Sequence, residues 1–228
     1  MSVTVVMPAL NEVESIGRVL AEIPRQAVQE VIVVDGGSMD ETAAIAQAAG
    51  ARVIRQPCRG YGQACATGLS AAAGDIIVFM DADGADDPAH IPDLLTPILD
   101  HTADMVLGSR LRGASTIGTM PWQQRVGNQL AAWLINHLYG LKLSDLGTFR
   151  AVRREPLLTL GMQEMTYGWP TEMIVKAARR GWRITEIPVC HRARFGGRSK
   201  ISGTLRGTAL AAYFILGTIF RYAIHTSE

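Results

Sequence analysis

Short strand-like runs rich in β-branched residues recur through the first half of the chain. Each is stopped by a polar or glycine-bearing turn and followed by a helix-length stretch. They fall at residues 3–7, 31–34, 51–55, 76–80 and 104–107. Most lack the polar–apolar alternation of a half-exposed strand, so they predict strands buried on both faces of a sheet. The spacing between runs leaves room for crossover helices and predicts right-handed connections in a mostly parallel α/β sheet. At 228 residues the chain suits one substantial domain.

Runs of this kind place ligands at their C-terminal ends, and two of them end in acidic side chains. The run at 76–80 leads into Asp81-Ala82-Asp83-Gly84. Carboxylates two apart on extended backbone offer hard oxygen ligands to one Mg²⁺ or Mn²⁺, although Asp-x-Asp is also ordinary turn chemistry. The run at 31–34 ends in Asp35-Gly36-Gly37. A carboxylate beside glycines that admit close backbone approach suits a base or ribose, or else a turn. After 3–7 come Pro8, Ala9, Asn11 and Glu12; Asn11 with Glu14, and Ser38 with Glu41, read as helix caps. Gly60 and Gly62 stand at the entrance of an Ala-rich helix, where free N–H groups receive phosphate.

The later chain is less regular. Residues 112–121 are rich in Gly, Ser and Thr and predict a loop. Residues 125–139 predict a helix whose apolar face, Val126, Leu130, Trp133, Leu134 and Leu138, is expected in the core. Asp145, Gly147, Phe149 and Arg150 follow, then a helix at 171–180 with Glu172 near its start, complementing the dipole. A strand at 184–189 precedes a basic stretch holding His191, Arg192, Arg194, Arg198 and Lys200. Residues 207–220 carry no charge; as a helix they reach about 21 Å at 1.5 Å per residue, short of a hydrocarbon core of about 30 Å. That segment is expected to pack on the domain or lie in a membrane interface.

The near balance of 22 Lys+Arg against 21 Asp+Glu argues against a partner bound by bulk charge, nucleic acid included. Cys58, Cys65 and Cys190 form neither a disulfide framework nor a zinc spacing. With a strand opening at once, the expected location is the cytosol, with peripheral contact on the inner face of the cell membrane.

Taken together and in order, these motifs resemble the family 2 glycosyltransferases of GT-A fold. The nearest branch transfers sugars to polyprenyl phosphates, as dolichyl-phosphate mannose or glucose synthases do. The matching residues are Pro8-Ala9-Leu10-Asn11-Glu12, Val33-Val34-Asp35-Gly36-Gly37-Ser38, Gly60-Tyr61-Gly62, Asp81-Ala82-Asp83-Gly84 and Gly108-Ser109-Arg110. They continue with Arg125-Val126-Gly127-Asn128, Asp145-Leu146-Gly147-Thr148-Phe149-Arg150, Glu172 and Arg198-Ser199-Lys200-Ile201-Ser202.

The resemblance implies a GT-A, Rossmann-like three-layer sandwich over residues 1–203 and an apolar, amphipathic helix over 204–228. It implies a nucleotide diphosphate sugar donor held by Pro8, Ala9, Asn11, Glu12, Asp35, Gly60, Gly62, Asp81, Ala82, Asp83 and Arg110, with Mg²⁺ or Mn²⁺ on Asp81 and Asp83. Arg125, Arg198 and Lys200 then face the phosphate of a polyprenyl phosphate or other small acceptor. The chain departs from the pattern at Gly36, where relatives often have a second aspartate. It departs again at Ala85, where many have glutamine and where Asp86 or Asp87 stands close enough to substitute. Lipid-linked synthases also often carry transmembrane helices after the catalytic domain, and these residues show none.

The expected reaction inverts the anomeric carbon, the metal taking up charge on the departing diphosphate. A phosphate acceptor needs positioning by Arg125, Arg198 and Lys200. A hydroxyl acceptor (a sugar, glycerate or polymer end) needs a base, for which Asp145 is the candidate. A sugar-1-phosphate nucleotidyltransferase is disfavoured because no Gly-rich loop with lysine follows Met7, and an HAD-type phosphatase because Gly84 follows the aspartates. A non-catalytic scaffold is the remaining class.

Overall fold

The computed structural model describes residues 1–56, 58, 60–113, 121–196 and 205–224. Its strands are β1 (Val3–Ala9), β2 (Glu30–Asp35), β3 (Arg52–Arg55), β4 (Ile76–Phe79), β5 (Met105–Ser109), β6 (Arg150–Arg153) and β7 (Ile184–Pro188). They form one sheet in the order β3-β2-β1-β4-β6-β5-β7. The helices are α1 (Ile16–Glu22), α2 (Thr42–Ala48), α3 (Tyr61–Ala71), α4 (Ile91–Leu99), α5 (Trp122–Tyr139), α6 (Arg154–Thr159), α7 (Trp169–Arg179) and α8 (Leu205–Ile224).

The runs of β1, β2, β4 and β5 are buried on both sides, as expected, whereas β3 at the sheet edge leaves Arg52 and Arg55 exposed. Val5 and Met7 of β1 join a core layer with Ile16 and Leu20 of α1 and Leu94 and Ile98 of α4. Val6 points the other way, into a layer with Leu69 of α3, Ile135 of α5 and Met173 of α7. This is the three-layer sandwich, and each fully buried branched side chain contributes about 1.5–3 kcal/mol. β1 pairs in parallel with β2 and β4, and β5 with β7. One strand breaks the pattern: β6 runs antiparallel between β4 and β5, with Arg150 opposite both Phe79 and Leu107.

Two expected caps are replaced by a loop-to-loop clasp. Asn11 has φ of 49° and is no helix cap; Ser15 precedes α1 instead. The Asn11 amide donates to Ser38 Oγ at 2.9 Å, and its Oδ1 accepts from the Met39 amide at 2.9 Å. The same residue types that cap helices satisfy backbone groups across two loops when those loops are adjacent. The Glu12 amide adds a bond to Thr42 Oγ1 at 2.8 Å.

Helix α5 is rotated relative to the expectation. Ala131, Ala132 and Ile135 face the core, whereas Trp122 (71% exposed), Val126, Leu130 and Trp133 (60% exposed) form an outward stripe. The rotation is set by amides on the inner side. Asn128 Nδ2 donates to Asp145 at 2.8 Å, and Asn136 exchanges two bonds with the Leu143 backbone. Both amides are half-buried, and leaving them unpaired there would cost about 1–3 kcal/mol each. Helix α8 packs on α7 and α5, burying Thr218 and Ile219 and leaving Tyr213 and Phe220 outward. No helix among the described residues is long and apolar enough to cross a membrane.

Glu172 is fully buried on α7 and ties three segments together. It takes Lys176 Nζ at 2.8 Å, the Tyr222 hydroxyl of α8 at 2.5 Å and the Gln163 and Glu164 amides at 3.0 and 2.7 Å. Burial pushes its carboxyl up, but the bonds from Lys176, Tyr222 and the two amides outweigh this and hold it below the ordinary 4.5. A depressed carboxyl stabilises the fold above its unfolded value, and that contribution is lost as pH falls through the folded one. Glu172→Gln is expected to cost about 2 kcal/mol at neutral pH. In urea melts at a series of pH values, the gap to wild type should shrink below about pH 4; a gap that does not narrow on acidification would refute the role.

Candidate active site

The C-terminal ends of β2, β1, β4 and β5 emerge along one edge of the sheet. Because β6 is antiparallel, its entrance emerges there too. Ala9 lies opposite Asp35 in the β1–β2 register, and the Gly36 amide donates to Ala9 O at 2.9 Å. Pro8, Ala9 and Asp35 are thus neighbours. Asp35 is buried, and its Oδ1 accepts the Ser38 amide at 3.0 Å, so it also fixes its own turn. Glu12, expected to be either cap or ligand, is buried; its Oε2 accepts from Ser15 Oγ at 3.0 Å.

Asp81 is held from both sides: Tyr61 of α3 and Thr148, two residues ahead of β6, each donate a hydroxyl at 3.1 Å. Ala82 is buried between the two aspartates, and Asp83 uses Oδ1 to accept the Ala85 amide at 2.8 Å. Burial and the charge of Asp83 push the Asp81 carboxyl above the ordinary range. Burial and the charges of Asp81 and Asp83 push Asp86 further still. The crowding strains every member, and a cation placed among them relieves it.

Two orphaned atoms belong to the same neighbourhood: Asp86 Oδ2 and His191 Nδ1 are buried without a hydrogen-bond partner, and the two residues form a β-bridge. Burial, then Arg110, lowers the His191 pKa and keeps the ring a neutral donor of its lone pair. This oxygen-rich set with one imidazole fits a hard divalent ion. Among the described residues no three acidic, histidine or cysteine side chains stand as a closed ligand cluster, and Asp83 Oδ2 is held by Arg194 at 2.6 Å.

On the other side of β4 stands a cation. Arg110 follows β5 and meets Asp145 through its backbone amide at 3.0 Å, Nε at 2.8 Å and Nη2 at 2.8 Å. Asp145 also accepts from Asn128 and from its neighbour Leu146, both at 2.8 Å. Burial pushes its carboxyl up, but the Arg110 bonds and charge overcome this and hold it below the ordinary range. A carboxylate so occupied is a poor proton acceptor. Asp145, the candidate base, is occupied by Arg110 in this structure. Arg125 lies one turn before Asn128 on α5, exposed. Arg198 and Lys200 lie outside the described residues.

Gly60 and Gly62 serve packing rather than phosphate. A Cβ on either would lie 2.5 Å from a backbone oxygen, of Met165 and Glu164 respectively. The Gly62 and Gln63 amides donate to Thr166 O at 3.1 Å and Met165 O at 2.9 Å, so the expected anion site is closed by a chain segment. That close approach is what brings the Tyr61 hydroxyl to Asp81.

Sequence reasoning missed several members. Glu186 of β7 accepts the Ser144 and Asp145 amides at 2.9 and 3.0 Å and so seats Asp145; the only signal was a lone carboxylate in an apolar strand. In the sequence Arg194 reads only as part of a basic stretch, yet its Nη2 reaches Glu12 Oε1 at 2.9 Å while Nη1 holds Asp83. Phe195 lies over Gly84, whose φ of 81° and missing Cβ make room for the ring.

Comparison with known proteins places the chain among its relatives. The family model for glycosyl transferase family 2 matches residues 4–161. The chain is 42% identical over 210 residues to an uncharacterized glycosyltransferase of Mycobacterium tuberculosis, covering 92% of this chain and 94% of that one. It is 38% identical to the dolichyl-phosphate hexose transferase of Haloferax volcanii, covering 90% and 89%. Among solved structures, glucosyl-3-phosphoglycerate synthase from M. tuberculosis superposes with a TM-score of 0.80 at 27% identity, over 100% of this chain and 80% of that one. That enzyme was crystallised with UDP, phosphoglyceric acid and Mn²⁺, and separately with UDP and Mg²⁺. With a family model spanning more than half its length and relatives aligned nearly end to end, the chain belongs to glycosyl transferase family 2.

Proposed function

We propose that the protein transfers a hexose from a nucleotide diphosphate sugar to the phosphate of a polyprenyl phosphate, with inversion and with Mg²⁺ or Mn²⁺. The observation that carries this is the pairing, at one sheet edge, of a strained acidic cluster with a clamped arginine. Asp81 and Asp83 would hold the metal, with Asp86 and His191 within its neighbourhood. The bound ion supplies charge to the diphosphate as the glycosidic bond breaks. Pro8, Ala9 and Asp35 border the space for the nucleoside. Arg110, fixed by three contacts to Asp145, presents a preorganised positive charge toward a phosphate, and such preorganisation costs no rearrangement during reaction.

An acceptor phosphate is already ionised and needs no base, which accords with an Asp145 committed to Arg110. The outward stripe on α5 favours the lipid acceptor: the helix whose inner amide holds Asp145 exposes Trp122, Val126, Leu130 and Trp133 on its other side. Large apolar and tryptophan side chains of this kind seat a helix in a bilayer interface. The named hexose transferase among the relatives acts on dolichyl phosphate. A soluble phosphorylated acceptor is the second reading, favoured by the likeness to glucosyl-3-phosphoglycerate synthase.

Turnover is to be measured with UDP and GDP sugars and Mn²⁺, offering either a short polyprenyl phosphate or 3-phosphoglycerate. The lipid acceptor is expected to react; reaction with phosphoglycerate alone would select the second reading, and reaction with no donor would defeat both. Asp81→Asn and Asp83→Asn are each expected to lower kcat roughly 100-fold or more. Arg110→Gln and Asp145→Asn should each be strongly impaired, while the double variant is scarcely worse than either, as for residues acting as one unit. Additive losses would restore an independent role to Asp145. Replacing Trp122 and Trp133 together by Ser should weaken binding to vesicles containing polyprenyl phosphate roughly 100-fold or more, since burying each ring is worth about 1.5–3 kcal/mol. Unchanged vesicle binding would remove the stripe from the lipid-facing surface.

A further inference from the structure

The segment 191–196 is fastened across the loop that carries Asp83. The Arg192 amide donates to Ala85 O at 2.9 Å and the Phe195 amide to Asp83 O at 3.0 Å. Phe195 covers Gly84, with the guanidinium carbons of Arg18 and Arg192 lying 3.8 and 5.0 Å from its ring centroid. At the centre of this strap Arg194 spans two carboxylates that belong to different loops: Nη1 to Asp83 Oδ2 at 2.6 Å and Nη2 to Glu12 Oε1 at 2.9 Å. Asp83 Oδ1 is already committed to the Ala85 amide at 2.8 Å. Oδ1 keeps one lone pair beside that amide, whereas Oδ2 carries the guanidinium, so an ion that takes Asp83 through Oδ2 or through both oxygens meets Arg194.

We infer that Arg194 is a built-in counter-cation that competes with the divalent ion for Asp83, so that loading the metal and loosening the 191–196 strap are one event. The inference rests on the reading of Asp83 as a metal ligand. Its physical basis is charge: Glu12, Asp81, Asp83 and Asp86 gather at one edge, and a single guanidinium neutralises one of them directly and shares itself with a second. A divalent ion brings twice the charge to the same oxygens, with the coordination geometry that carboxylates favour. Displacing Arg194 from Asp83 removes the strap's side-chain tie to the Asp83 loop carboxylate and leaves the two backbone bonds and the Arg192 pairs with Glu22 and Asp87. Arg192 makes the contrast: it belongs to the same strap and carries the same charge, but its side chain meets Glu22 at 2.8 Å, Asp87 at 3.7 Å and the Asp86 backbone carbonyl at 3.4 Å, and not the Asp83 carboxylate.

The test is Mn²⁺ binding to the purified protein, followed by the paramagnetic resonance signal of free Mn²⁺, without nucleotide. Wild type, Arg194→Gln and Arg192→Gln are compared, with thermal melts to confirm folding. Arg194→Gln is expected to bind Mn²⁺ about tenfold or more tightly than wild type, and Arg192→Gln to differ much less. In wild type alone, and so independent of whether the variants fold, Mn²⁺ should speed hydrogen exchange at the Arg192 and Phe195 amides. Equal or weaker Mn²⁺ binding by Arg194→Gln would overturn the inference, as would equal gains in the two variants or an exchange rate in wild type untouched by Mn²⁺. If neither wild type nor Arg194→Gln binds Mn²⁺ while Asp83 is intact, the metal reading itself falls.

Discussion

Carboxylates packed out of water at the edge of a sheet must be answered by cations, and this constraint organises the molecule around its candidate active site. Asp81, Asp83, Asp86 and Glu12 crowd the ends of β1 and β4, and their mutual repulsion and burial raise Asp81 and Asp86 above the ordinary carboxylate range. The chain supplies its own answers on two sides. Arg194 enters from the segment after β7, and Arg110 stands after β5 within electrostatic reach of Asp81 and Asp86. Each is fixed by a carboxylate of its own, Glu12 in one case and Asp145 in the other. Buried charge of this kind is tolerated only when every member is paired or ligated.

The sheet topology makes this convergence possible. Inserting β6 antiparallel between β4 and β5 turns the strand so that Thr148 and Phe149 arrive at the edge where β4 and β5 end. Thr148 then reaches Asp81, and the loop from α5 into β6 delivers Asp145 to Arg110. A fully parallel arrangement would place the entrance to β6 at the opposite edge. Arg150 anchors the insertion from inside. It is almost fully buried and spends its guanidinium on the Pro170 and Gly147 carbonyls, and burial lowers its pKa to about 10.

The helical layer beside the site has two faces with separate work. Toward the core, α5 shows small residues and two amides that hold the 143–145 segment; outward it shows large apolar side chains. Helix α8 extends that side and is tied back through Tyr222 to Glu172 and through its Ile219 carbonyl to Tyr139. Geometry near Asp145 is therefore coupled to the surface on which α5 lies.

Much of this was legible from the residues. Unalternating β-branched runs determined a doubly covered sheet, and acidic residues at their C-terminal ends marked the functional edge, because a side chain just past a buried strand has nowhere else to point. The ordered motifs identified the family. What sequence could not decide were contacts between segments far apart in the chain. Asn11 and Ser38 carry the same chemistry as caps or as a clasp, and only the adjacency of their loops selects the clasp. Gly60 and Gly62 suit a phosphate or a close backbone approach, and the 164–166 segment selects the approach. Helix α5 is apolar on more than one side, and Asn128 and Asn136 settle which side turns in. Asp145 is base or clamp according to what meets it, and Arg110 meets it from 35 positions away. Local sequence set the chemistry each residue can perform; tertiary structure chose its partner, since hydrogen bonds and ion pairs form between neighbours in space.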